Sequence, residues 1–122
     1  MREPSADEYL AQARHNEAFA QTLLSAAPVC YADWVVTGAF YAALHYVNHW
    51  LKRTIGTAPK DHERRSSALN RLARTRSVAG EYETLRSKCY ECRYLCLRAT
   101  ARRAQELFDN ELQAVKRAVV QP

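Results

Sequence analysis

Between Ala39 and Leu51 the chain reads AFYAALHYVNHWL, which is apolar around almost the whole circumference of a helix. Such a helix has little surface to give to water, so it must be covered on more than one side. Val36, Phe40, Ala43, Val47 and Trp50 supply one core face, and Val35, Ala39, Ala42 and Tyr46 supply a second that is nearly as apolar. The pattern calls for the central helix of a small bundle, or for a helix that also meets a second subunit. Asp33 is the expected N-cap, and the helix runs to about Lys52. Gly38 in its interior costs about 1 kcal/mol relative to alanine, and the close approach of another helix explains its use.

The rest of the chain supports an all-α fold. Three glycines and four prolines among 122 residues leave long uninterrupted segments, and no strand-like alternation occurs. Ser5 followed by Glu8 has capping-box spacing and starts a helix expected from about Ala6 to Ala27. Pro28 and the run TIGTAPKD at residues 54–61 break the helical pattern. Asp61 then caps HERRSSALNRLAR, whose apolar content is so limited that it reads as a peripheral helix. Ser77 is the expected cap of a fourth helix, with Tyr82, Leu85, Cys89, Cys92 and Cys96 facing inward. Thr100 caps a last helix in which Ala104, Phe108, Leu112, Val115 and Val119 repeat at helical intervals. No glycine or proline separates these two, so one long kinked helix is the alternative. The expected architecture is an up-and-down bundle of four or five helices in a single domain spanning residues 1–122, a length that suits one core.

With 48% hydrophobic and 25% charged residues, the composition is that of a folded globular chain. No uncharged apolar run reaches the 18 or so residues of a membrane span, and the N-terminus lacks a signal-peptide apolar region, so a cytoplasmic protein without a membrane partner is expected. In that setting Cys30, Cys89, Cys92 and Cys96 read as small core residues rather than a disulfide framework. The formal charge of +5 is unevenly spread. The first 27 residues are net acidic, whereas 60–76 and 86–103 are strongly basic. Clustered positive charge of this kind points to a polyanionic partner, nucleic acid first, with a solvated helix surface as the plain alternative.

Candidate chemistry is sparse. His45 and His49 have the spacing of a helical zinc pair but no third ligand, and Cys-x2-Cys-x3-Cys at 89–96 sits on a helix instead of the turns of a zinc ribbon. No nucleophile elbow and no glycine-rich phosphate loop is present. Neither a metal nor a cofactor is expected. What remains is Tyr41, His45 and Asn48 on the second helix, His62, Arg64 and Arg65 after the loop, and Cys92, Arg93 and Tyr94 on the fourth helix.

Three patches, AFYAALHYVNHWL, H-x-R-R and YETLRSKCYECRY, together resemble the HEPN family of small helical domains. The resemblance covers roughly residues 5–115 in layout, with specific agreement confined to those patches. It implies a bundle that dimerises around a cleft lined by its later helices. Ribonuclease members follow a motif arginine, four to six residues later, with histidine; here Leu97, Arg98 and Ala99 occupy that interval and no histidine follows His62. Losing that imidazole removes a proton-transfer contribution of about a hundredfold or more. The resemblance therefore implies a homodimer that binds RNA or nucleotide, in the manner of family members that partner nucleotidyltransferase-like proteins in toxin–antitoxin or defence systems. Tyr41, His45, His62, Arg65, Arg93, Tyr94 and Arg98 are the expected ligand-binding residues. The guanidiniums would hold phosphates, and Tyr94 or Tyr90 would stack on a base. Tyr41, His45 and Asn48 are expected to form a polar seam toward the fourth helix, with His45 orienting Arg93 or Tyr94. A divergent ribonuclease using His62 or His45 with Arg93, and a non-catalytic protein interaction module, are the alternatives.

Overall fold

Ser5 opens the first helix, α1 (Ala6–Ser25), through a complete capping box: Glu8 N–H donates to Ser5 Oγ at 3.1 Å and Ser5 N–H donates to Glu8 Oε1 at 2.9 Å. The computed structural model describes residues 2–120, and among them the protein is all helical. Helix α1 stops before Ala27: Ala26 is already extended, and Ala27, which precedes Pro28, is itself disfavoured in the helical region. The second helix, α2 (Ala32–Ile55), starts earlier than expected. Tyr31 is its N-cap and makes no side-chain bond, so Asp33 sits in the first turn, where its carboxylate faces the positive end of the helix dipole. Gly56 ends α2 at φ +85°, a left-handed conformation that glycine adopts without strain.

Helices α1 and α2 run antiparallel. His49 near the end of α2 bonds the Ala6 carbonyl at the start of α1 through Nδ1 at 2.7 Å, and Gly38 faces Phe19 and Ala20 near the other end. A Cβ at position 38 would lie 3.1 Å from Phe19 Cδ2 and 3.3 Å from the Ala20 Cβ, which accounts for the glycine. The opposite side of α2 is covered by α5 (Ala79–Tyr94) and by the C-terminal helices. Val35, Val36, Ala39, Phe40, Ala42, Ala43, Tyr46 and Val47 are all buried within one chain. Most of both apolar faces of α2 is therefore covered within one chain, with Trp50 partly buried and Trp34 half exposed.

Between these helices lie α3 (His62–Arg71) and a single turn, α4 (Ala73–Arg76), separated by an extended Leu72. Asp61 caps α3 as expected, accepting from Arg64 N–H at 2.8 Å. Helix α3 is less peripheral than its few apolar residues imply, because Leu69 and the Arg65 side chain are both buried. Ser77 does not cap α5. Its hydroxyl donates to the Arg74 carbonyl at 3.4 Å, and the cap position falls to Val78 without a side-chain bond.

The last two helices are separate. Helix α5 ends at Tyr94, Cys96 takes a positive φ of 57°, and Thr100 caps α6 (Ala101–Glu106) by accepting from Arg103 N–H at 3.0 Å. Cys96 is consequently exposed and leaves the inward stripe, whereas Cys89 stays buried. All four cysteines are free thiols. Helix α6 continues through a π-helical turn (Leu107–Leu112) into α7 (Gln113–Val119). From α7, just past this widened turn, Gln113 Nε2 and Lys116 Nζ each reach a Glu17 carboxylate oxygen at 3.1 Å, and Tyr46 Oη donates to the same carboxylate. Burial alone would raise the Glu17 pKa, but the bonds from Tyr46, Gln113 and Lys116 outweigh it and hold the carboxyl below its ordinary value. One contiguous core joins all the long helices. No helix among the described residues is long and apolar enough to cross a membrane.

Candidate functional site

The exposed side of α5 carries Arg86, Tyr90, Arg93 and Tyr94, spaced so that side chains three and four residues apart lie on one face. Arg93 reaches across to α2, where its Nη1 donates to Tyr41 Oη at 2.5 Å. Its guanidinium carbon also lies 5.6 Å from the Tyr41 ring centroid and 5.3 Å from that of Tyr94, within cation–π range of both. Tyr94 packs on Tyr90, with ring centroids 5.2 Å apart. These four residues, with Arg86 and His62, line a cleft of about 270 Å³ whose floor is Phe40 and Cys89. No carboxylate lines the cleft; Arg86 meets one at its margin, 3.4 Å from Glu83 Oε2.

An aromatic-rimmed cleft holding two guanidiniums and an imidazole fits an anionic ligand with a flat ring. Guanidiniums can engage phosphate oxygens, and tyrosine rings can stack on a base. The volume is near the lower end for small-molecule clefts, roughly 300 Å³, so it fits part of a nucleotide better than a whole cofactor. A larger groove of about 510 Å³ lies beside Lys60, Arg64 and Arg71. It has charge but no aromatic ring, and so lacks the second half of that recognition.

No protein-family model matches the chain, and comparisons with curated proteins and with solved structures give no match.

Of the expected ligand-binding residues, the cleft brings together Tyr41, His62, Arg93 and Tyr94. Three others lie elsewhere. His45 does not orient Arg93 or Tyr94; its ring stacks on Tyr9 of α1 at a centroid distance of 6.1 Å, and Tyr41, one turn earlier, bonds Arg93. Arg65 is 4% exposed and presents no charge to solvent. Its Nε donates to Asn48 Oδ1 at 2.9 Å and its Nη2 to the Pro59 carbonyl at 2.7 Å, so it knits α3 to α2. Arg98 follows the turn at Cys96 and lines a different cleft, with Lys88, Thr100 and Arg103. The polar seam thus fans out: Tyr41 faces α5, His45 faces α1, and Asn48 faces α3. Arg86, which sequence reasoning missed, stands seven residues before Arg93, a spacing that repeats one helix face and would have found it.

Among the described residues no group of three or more His, Cys, Asp or Glu is arranged to hold a metal ion. Chelation is therefore expected to leave the helical circular dichroism and melting temperature unchanged, and stoichiometric zinc in protein purified without added metal would contradict this.

Both His45 and His62 titrate below the ordinary imidazole value of 6.5. Burial is the main cause at each; Arg65 adds to it at His45, and Arg86 and then Arg65 add to it at His62. The unfolded chain consequently binds more protons than the fold just below that value. Stability is then full above about pH 6.5 and declines as the pH falls through the folded-state values. Melting temperatures should be nearly equal at about pH 8.5 and 7.5 and lower at about pH 5.5, with a smaller drop in His45→Gln. A wild-type melting temperature constant across that range would show that neither burial matters.

Proposed function

We propose that this chain is a HEPN-like helical bundle that binds RNA or nucleotide in the cleft between α2 and α5, without the ribonuclease motif of that family. The observation that carries the reading is Arg93, held by the Tyr41 hydroxyl and flanked by the Tyr41 and Tyr94 rings, with Arg86 and His62 in the same cleft. A guanidinium fixed in this way is set for bidentate contact with phosphate, and Tyr90 and Tyr94 supply the stacking surface. A cytoplasmic setting belongs to the same reading and agrees with four free cysteines.

A homodimer is part of the proposal, on a different surface from the apolar faces of α2. Leu95 and Leu97 are both at least half exposed just after α5, beside the cleft, and a second copy seated on them would cover apolar surface without burying the stacking faces of Tyr90 and Tyr94. A stable pair needs about 1,200 Å² or more of buried surface in total. Sedimentation equilibrium at high micromolar concentration should give twice the chain mass, whereas the mass of a single chain would remove the dimer from the proposal.

The shared cleft of His62 and Arg93 favours a second reading, a divergent ribonuclease. Titrating the protein against a mixed single-stranded RNA pool at two salt concentrations, with cleavage read on the same samples, separates the readings. Salt-sensitive binding without cleavage supports the binder, and cleavage lost in His62→Ala supports the nuclease. Neither binding nor cleavage would favour a protein interaction module.

A further inference from the structure

Arg65 is the most deeply buried arginine among the described residues, and its guanidinium makes three directed contacts. Nε reaches Asn48 of α2, Nη2 reaches the Pro59 carbonyl in the loop before α3, and Nη1 lies 3.4 Å from His62 Nδ1. The side chain is thereby tied to two elements besides its own, and the third arm falls on the histidine that lines the cleft.

A guanidinium carries only N–H donors and does not deprotonate in proteins. Facing one, His62 Nδ1 must be the acceptor, and the imidazole proton of the neutral ring then sits on Nε2, the nitrogen turned away from Arg65 on a residue that lines the cleft. We propose that Arg65 is a positioning residue that locks His62 as a neutral Nε2–H tautomer, so that His62 offers the cleft a hydrogen-bond donor and not a base. The role of this donor toward a phosphate or base oxygen rests on the nucleotide-binding reading above; the tautomer itself does not.

The surroundings agree. Arg65 on α3 and Arg86 on α5 oppose a second proton on the ring, Glu83 on α5 and the capping Asp61 favour it, and burial with the two arginines prevails. From α2 the ring meets Phe40, 5.8 Å between centroids, which contributes no charge. While Arg65 is in place, His62 has no free lone pair with which to take a proton from a ribose hydroxyl. The same geometry that makes it a useful donor disfavours the ribonuclease reading.

Long-range proton–nitrogen correlation spectra of the full-length, nitrogen-15-labelled wild type at about pH 7.5 test this directly, with His62 assigned by its loss in His62→Gln. The expected pattern is a protonated Nε2 and a bare Nδ1. The opposite tautomer, or a charged ring, would overturn the proposal. Arg65→Lys should leave His62 a mixture of tautomers; an unchanged Nε2–H signature in a folded Arg65→Lys variant would assign the lock to something else. Binding to the mixed single-stranded RNA pool supplies the second arm. His62→Gln, which keeps an N–H donor, should bind within about threefold of wild type, and His62→Ala should lose about tenfold. Equal losses in the two variants would remove the donor role. If wild type has the expected tautomer but binds no RNA, the positioning by Arg65 stands and the nucleotide-binding reading fails.

Discussion

Arg93→Ala is expected to weaken binding of single-stranded RNA by roughly 10- to 100-fold, the value of one charge-assisted hydrogen bond to phosphate at about 1.5–3 kcal/mol. It should also flatten the salt dependence, lowering the slope of log K against log salt by about 0.7, the counterion release of a single neutralised phosphate. The size of the effect follows from how Arg93 is held. Tyr41 takes one of its N–H groups and two rings flank the guanidinium, so the remaining donors are presented with little freedom left to lose. Arg93→Lys keeps the charge but not the planar fork, and should fall between wild type and alanine. Arg2→Ala removes the same formal charge from the acidic first segment, where Arg2 is paired with Glu8 at 2.6 Å, and should change binding little. Equal and negligible effects of the two alanine variants would leave the arginine cleft without a role.

Gly38→Leu is expected to destabilise the fold severely. A Cβ alone would come within 3.1–3.3 Å of Phe19 and Ala20, and a full leucine side chain must push α1 away from α2. Overpacking of this kind costs about 1–3 kcal/mol, and separating two helices that bury each other's apolar stripes raises it toward or beyond the upper figure. Gly38→Ala is the informative companion. The closest atom belongs to Phe19, a half-exposed ring that can move, and alanine gains about 1 kcal/mol of helix propensity, so the two effects nearly cancel. Denaturant unfolding measures both: the leucine variant should lose a large fraction of its stability while the alanine variant stays close to wild type. A leucine variant as stable as wild type would mean that α1 and α2 are not in close contact at Gly38.

The helices themselves are legible in the sequence because their signals are local. The Ser5–Glu8 box, the Asp61 and Thr100 caps and the two apolar faces of α2 depend on residues three or four apart, and each is found in the fold. Two local expectations fail, the Asp33 and Ser77 caps, each displaced by one or two residues; the larger differences arise where a distant partner decides. A basic H-x-R-R turn looks like a solvent-facing patch, and only the Asn48 side chain and the Pro59 carbonyl, brought in from other elements, turn Arg65 inward. His45 and Tyr41 share a helix face, yet Tyr9 on α1 claims one and Arg93 on α5 the other. The break at Cys96 has no glycine or proline to announce it, so Arg98 reads as a neighbour of Arg93 although the chain carries it to another cleft. Tyr41, His62, Arg93 and Tyr94 do meet in one cleft, but what groups them in the sequence is a resemblance in three short patches and not any pattern that encodes their distance in space.

Amide chemical-shift mapping of the full chain, titrated with a short single-stranded RNA at low salt, tests most directly whether the cleft between α2 and α5 is a binding site. Saturable shifts should concentrate on Tyr41, His62, Arg86 and residues 90–94, and fade as salt is added. Saturable shifts confined to the Lys60, Arg64 and Arg71 groove, or no shifts at all, would contradict it.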